Sequence, residues 1–123
     1  MSGHDTGPAQ KLAGKVFYLL FWELTDKSGD RMAHHQAHLD YAFSLEKDGR
    51  LMSAGPFLKD DGTSTGRGMF MLNVASAQEA HEIAKKDPYY VAGYRTYRLE
   101  TWRRSEGTFT LKFEIGANRV SFV

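Results

Sequence analysis

Three of the chain's five histidines, His34, His35 and His38, fall within five consecutive positions. Imidazole titrates near physiological pH in its unperturbed form, so it serves as a general acid or base and, when neutral, as a metal ligand. His34 and His38 stand four apart, a spacing that lets both rings meet one ion on a helix face. No glutamate follows in an HExxH arrangement, so a third ligand would have to come from another segment. A catalytic histidine instead needs a carboxylate to fix its tautomer and stabilise the imidazolium. Asp87 and Asp40 carry that group. The third reading is structural, with histidines bordering a core and bonded to backbone. The residues alone leave all three open.

The elements around these side chains decide which way they face. From Arg31 to about Asp48 the pattern is helical, with Asp30 placed to cap it and Gly49 at the position that needs positive φ. With Met32 as zero, His34, His38 and His35 fall at roughly 200°, 240° and 300° around the helix. Met32, Leu39, Ala42, Phe43 and Leu45 form a broad apolar arc over much the same sector, so the histidines turn inward or sideways. Asp40 falls on the other side of the helix. Asp87 closes a second helix, Ala77 to Lys86, whose capping box is Ser76 with Glu79. Pro88 ends that helix, because a residue before proline resists the helical region.

The remaining segments read as strands. "KVFYLLFWELT" (15–25) is continuously apolar and predicts a strand buried on both faces. "RLMSAGPF" (50–57) predicts a second, ending where Gly55-Pro56 forbids regular pairing. "LKDDGTSTGRG" (58–68) has the composition of a long hairpin loop, and "MFMLNVAS" (69–76) of a third strand. "RTYRLETWRR" (95–104) alternates with the period of a half-buried strand.

The order strand, helix, strand, strand, helix, strand predicts an α+β ferredoxin-like βαββαβ plait, one antiparallel sheet with two helices on a single face. Dimerisation would cover the opposite, aromatic-rich face. Trp22, Tyr97 and Trp102 belong to the core or to that interface. Residues 107–123 predict an extra C-terminal β-hairpin turning at Gly116-Ala117-Asn118. The chain thus divides into an N-terminal arm (1–14), the plait (15–104) and a C-terminal β extension (105–123).

Composition narrows the function. A formal charge of +1 supplies no basic field for nucleic acid. The absence of cysteine removes thiolate nucleophiles, disulfides and cysteine-type zinc sites. No apolar run reaches membrane-spanning or signal-peptide length, which predicts a cytoplasmic protein with no membrane partner. "GTSTGRG" lacks the lysine and spacing of a phosphate loop.

Three segments together resemble the YciI-like (YCII-related) family: "HLDYAFSLEKDGRLMSAGPF", "GMFMLNVASAQEAHEIAKKDPYYVAGY" and "RTYRLETWRR". The shared motifs are His-Leu opening the helix body, Gly-x-Leu-x-x-Ala-Gly-Pro across the second strand, and Asp-Pro-Tyr-x-x-Ala-Gly after the second helix. Gly49, Leu51, Ala54, Gly55 and Pro56 satisfy the middle one. The resemblance covers about residues 15 to 104 and implies a plait that pairs as a homodimer into a dimeric α+β barrel. It implies a His–Asp dyad, carried here by His38 and Asp87, in a cleft beside the sheet. Arg31 matches a basic position of the family. Ser53, Gly55 and Pro56 would line the cleft. His35, which like His34 is extra to the family pattern, and Tyr89 are further candidates to border a small-molecule substrate. One lineage of the family eliminates chloride from a chlorinated hydroquinone. The implied activity is therefore a lyase or isomerase, free of cofactor and metal, moving a proton on a small cyclic or aromatic compound. A ligand-binding protein without turnover, a metal enzyme built on His34 and His38, and a monooxygenase of the same fold are the alternatives.

Overall fold

The structure, a computed structural model, describes residues 13–122. The expected arm therefore lies outside the described residues, apart from Ala13 and Gly14. Two compact units are distinguished: Val16–Arg103, and the described residues before Val16 together with those after Arg103.

The larger unit contains β1 (Val16–Leu24), a 3-10 turn (Arg31–His34), α1 (His35–Lys47), β2 (Leu51–Leu58), β3 (Ser64–Leu72), α2 (Ala77–Lys85), α3 (Pro88–Val91) and β4 (Arg95–Arg103). The sheet order is β2-β3-β1-β4 and every pairing is antiparallel. This is the expected α+β plait. Its sheet is open within one chain and closes no barrel.

Burial follows the strand period. Leu20 and Trp22 of β1, Phe70 and Leu72 of β3, Ala42 and Leu45 of α1, and Ala80, Ile83 and Ala84 of α2 form one buried cluster. Each fully buried leucine or phenylalanine stabilises the fold by about 1.5–3 kcal/mol. Trp22 meets Phe70 and Tyr97 edge-on, with ring centroids 5.5 and 6.0 Å away. Residues of the opposite parity, Leu19, Phe21, Met69 and Met71, are half-buried. There Phe21 stacks on Phe57 at 6.4 Å, the Arg98 guanidinium lies 4.4 Å from the Phe21 ring centre, and Arg67 pairs with Glu23 at 2.7 Å.

Several expectations change. Asp30 makes no side-chain cap, and the first turn, Arg31–His34, winds as a 3-10 turn before α1 begins. Met32 and Phe43, assigned to the apolar arc, are 57% and 56% exposed; the buried face of α1 is His38, Ala42 and Leu45. β2 does not stop at Gly55-Pro56 but pairs through it, Pro56 facing Gly68, with register breaks between Leu51 and Ser53 and between Pro56 and Leu58. Proline is tolerated there because β2 is the sheet's edge. β3 starts at Ser64, inside the expected loop. Gly49 does take positive φ (77°), and Ser76 does cap α2 by accepting from the Glu79 amide at 3.2 Å.

α1 and α2 are tied by the Tyr41 hydroxyl, which donates to the Ile83 carbonyl at 2.8 Å. Burial, and then the nearby Asp87 carboxylate, push the Tyr41 pKa up to about 12. Because the folded value lies above the unfolded value of 10.0, this contribution to stability is intact below about pH 10. It is lost as the pH rises through about 12. Chemical denaturation across that range should show stability falling with pH, with a shallower fall in Tyr41→Phe. An unchanged slope in that variant would remove Tyr41 as the cause.

In the smaller unit, β5 (Leu111–Glu114) and β6 (Arg119–Phe122) pair antiparallel as the expected hairpin. Asn118 takes φ 52° at its turn, a conformation asparagine tolerates better than most residues. Among the described residues, no helix is long and apolar enough to cross a membrane.

Candidate active site

α3 begins at a proline, whose fixed φ suits the first helical position. The residue before it, Asp87, is extended (φ −65°, ψ 133°) and caps the helix by accepting from the Tyr89 amide at 2.9 Å. That bond uses only Oδ1. The other oxygen, Oδ2, lies 2.6 Å from His38 Nδ1 on α1. Asp87 is fully buried and His38 is 8% exposed. A buried carboxylate must be paired, and an ionised one can only accept. With the carboxylate ionised Nδ1–H is the donor, and in the neutral ring Nε2 then keeps its lone pair.

Two aromatic rings pack against His38. Its ring lies 5.7 Å from Phe70 and 4.8 Å from Tyr89. Tyr89 is itself buried, and its hydroxyl meets His35 Nδ1 at 2.9 Å. Burial raises the Tyr89 pKa, partly offset by Arg95 and Arg31, so the hydroxyl keeps its proton at neutral pH.

His38 and His35 open onto a cavity of about 450 Å³ between α1 and the sheet, within the size range of small-molecule sites. Ser53, Gly55 and Pro56 of β2 form another wall, and Trp22, Phe70 and Arg95 complete it from the sheet. The expected residues His35, His38, Ser53, Gly55 and Pro56 are thus brought together around one space. Asp87 and Tyr89 stand behind them. Arg31 does not line the cavity; it lines a neighbouring hollow with Tyr94 and Lys27. His34 packs its ring on Tyr94 at 5.6 Å, apart from the His38–Asp87 pair. Among the described residues, no three histidine, aspartate or glutamate side chains are grouped to hold a metal ion.

Arg95 and Trp22 were not foreseen as site residues. Arg95 starts β4, and its guanidinium carbon lies 4.3 Å from the Tyr89 ring centre. One terminal nitrogen donates to the Gly66 carbonyl at 3.1 Å. Burial lowers its pKa. The available signal was strand parity: Arg95 shares the inward face of β4 with Tyr97 and Leu99, where a charge is out of place.

The YCII-related domain family matches residues 16–103, most of the chain. The chain belongs to the YCII-related family. No curated protein matches it. Among solved structures it is similar to 5-chloro-2-hydroxyhydroquinone dehydrochlorinase from Burkholderia phenoliruptrix AC1100, in complex with 2,5-dihydroxybenzoquinone. The two share 25% identity with a TM-score of 0.55, covering 70% of this chain and 93% of the other. That relative has the dimeric α+β barrel fold.

Proposed function

We propose that this YCII-related protein is a cofactor-free lyase or isomerase that moves a proton on a small cyclic or aromatic substrate. His38 is the base and Asp87 its partner. The observation that carries this reading is the 2.6 Å contact between His38 Nδ1 and a fully buried carboxylate, beside a cavity of small-molecule size. Nε2 accepts a proton from the substrate, and Asp87 stabilises the imidazolium that forms. For an elimination, the electron pair left by that proton forms a new double bond, and chloride departs with the electrons of its bond to carbon. For an isomerisation, the imidazolium returns the proton to another atom. His35, Ser53, Gly55, Pro56 and Tyr89 shape the pocket, with Arg31 adding positive potential from the neighbouring hollow.

The dehydrochlorinase relative supports a chlorinated hydroquinone as the first substrate to try and 2,5-dihydroxybenzoquinone as a reference ligand. The test is chloride release, or isomerisation monitored optically, by the wild-type protein and by His38→Gln. Turnover abolished in the variant supports the reading. Ligand binding without turnover by the wild type makes the cavity a binding site instead.

The same reading places the protein in the cytoplasm as a homodimer, joined across the sheet face that carries Leu19, Phe21, Met69 and Met71. Light scattering after size exclusion should give twice the 13.9 kDa of one chain. Leu19→Glu should shift the mass toward the monomer, since its carboxylate would stand opposite Glu100 and a charge cannot be buried there without a partner. A wild-type mass of one chain would sink the dimer.

A further inference from the structure

Among the described residues, only two buried side-chain polar atoms lack a hydrogen-bond partner, Trp22 Nε1 and Arg95 Nε. Both side chains line the same cavity. They are also diagonal neighbours on the sheet: Trp22 faces Tyr97 and Leu24 faces Arg95 across β1 and β4, which puts both on the helix-facing side. Such diagonal pairs have Cα atoms about 7–8 Å apart, within reach of long side chains.

Each orphan is costly by itself. A buried donor without an acceptor forfeits its hydration with no return. A guanidinium does so with a full charge, and among the described residues no carboxylate forms a salt bridge with Arg95. The other arginine on the cavity wall, Arg67, already pairs with Glu23 at 2.7 Å. A guanidinium only donates, so what meets Arg95 from the cavity must be an acceptor, and the cation selects a negative one. The cavity is otherwise walled by apolar side chains such as Ala42, Leu51 and Phe70, which suit the faces of a flat ring.

We propose that the cavity recognises a planar ring bearing an ionised oxygen, held by the Arg95 guanidinium; this deepens, and rests on, the reading of the cavity as the substrate site. In the proposed proton transfer, the same guanidinium would stabilise negative charge that builds on the ring oxygen as His38 removes the proton.

The test is calorimetric binding of 2,5-dihydroxybenzoquinone, which is anionic at neutral pH, against its uncharged dimethyl ether. The wild type should prefer the anion by at least tenfold. Arg95→Met, which keeps the apolar stem, should weaken anion binding roughly 10- to 100-fold and leave the ether little changed, as expected for a charge-assisted bond. Arg95→Lys should recover part of the loss. Trp22 lines the same cavity and reports occupancy: the anion should shift its indole N–H resonance while that of Trp102, assigned with Trp102→Phe, stays in place. Equal binding of anion and ether, anion binding unchanged in Arg95→Met, or no binding of the anion to the wild type would each overturn the inference. The two readings fail separately. His38→Gln with normal turnover overturns the acid–base reading without touching Arg95-dependent binding, and an indifferent Arg95→Met overturns the recognition without touching the dyad.

Discussion

Replacing His38 by glutamine is expected to lower kcat/KM at least about 100-fold, the lower range for loss of a general base. The substitution is close in volume and keeps a polar end to face Asp87, so the buried wall formed with Phe70 and Tyr89 is retained. The loss should fall on kcat, with KM for a ring substrate little altered, because recognition is assigned to other side chains. Steady-state kinetics, with a circular dichroism spectrum to confirm the fold, makes the measurement. A glutamine variant with near wild-type turnover would remove His38 from the chemistry.

Asp87→Asn is expected to be nearly as damaging, about 10²- to 10⁴-fold in kcat, while preserving the fold. Asparagine can still cap α3 by accepting from the Tyr89 amide, since capping uses one oxygen only. Its amide nitrogen would then face His38 Nδ1 and donate to it. That reverses the tautomer: the imidazole proton moves to Nε2, and the lone pair that should accept the substrate's proton is gone. Nitrogen-15 spectra of the imidazole would report the switch directly. Asp87→Ala differs in kind, because it also removes the cap, at a cost of about 0.5–2 kcal/mol of stability. Finding Asn and Ala equally destabilised, with the tautomer unchanged in Asn, would contradict this account.

Much of the fold was legible because helices and strands announce themselves by period. β1, α1, α2 and β4 lie within one or two residues of expectation once the 3-10 turn is set apart. β3 was misplaced for a local reason. Its first half, "STGRG", is built from residues that also make loops. The glycines there answer strand geometry instead: a Cβ at Gly68 would stand 2.8 Å from the Gly55 carbonyl oxygen, and Gly66 takes a positive φ of 83° with the Leu24 and Arg31 side chains packed against it. Backbone approach across a strand pair and flexibility in a loop select the same residue, and composition cannot separate them.

The site divides along similar lines. His38 was marked by helix angle and Asp87 by the Asp-Pro punctuation, and family resemblance joined them across 49 positions. Arg95 and Trp22 carried no motif. An arginine at a strand's first position resembles a solvated end, and a tryptophan in an apolar run resembles core. Only burial together with the lack of a partner distinguishes them, and both are properties of three-dimensional packing. Arg31 shows the converse, a family position that the fold sets beside the cavity rather than in its wall.

The edge position of β2 bears on how the protein behaves at high concentration. Beyond Leu51 the strand is exposed along its length, and an open strand edge invites another chain to add to it. β2 offers a poor template. Pro56 has no N–H to give, and the two register breaks bend the strand out of the regular spacing that an incoming strand would need. The Gly-Pro that walls the cavity therefore also discourages runaway strand addition, so the cavity can keep an accessible rim without turning it into a seed for aggregation.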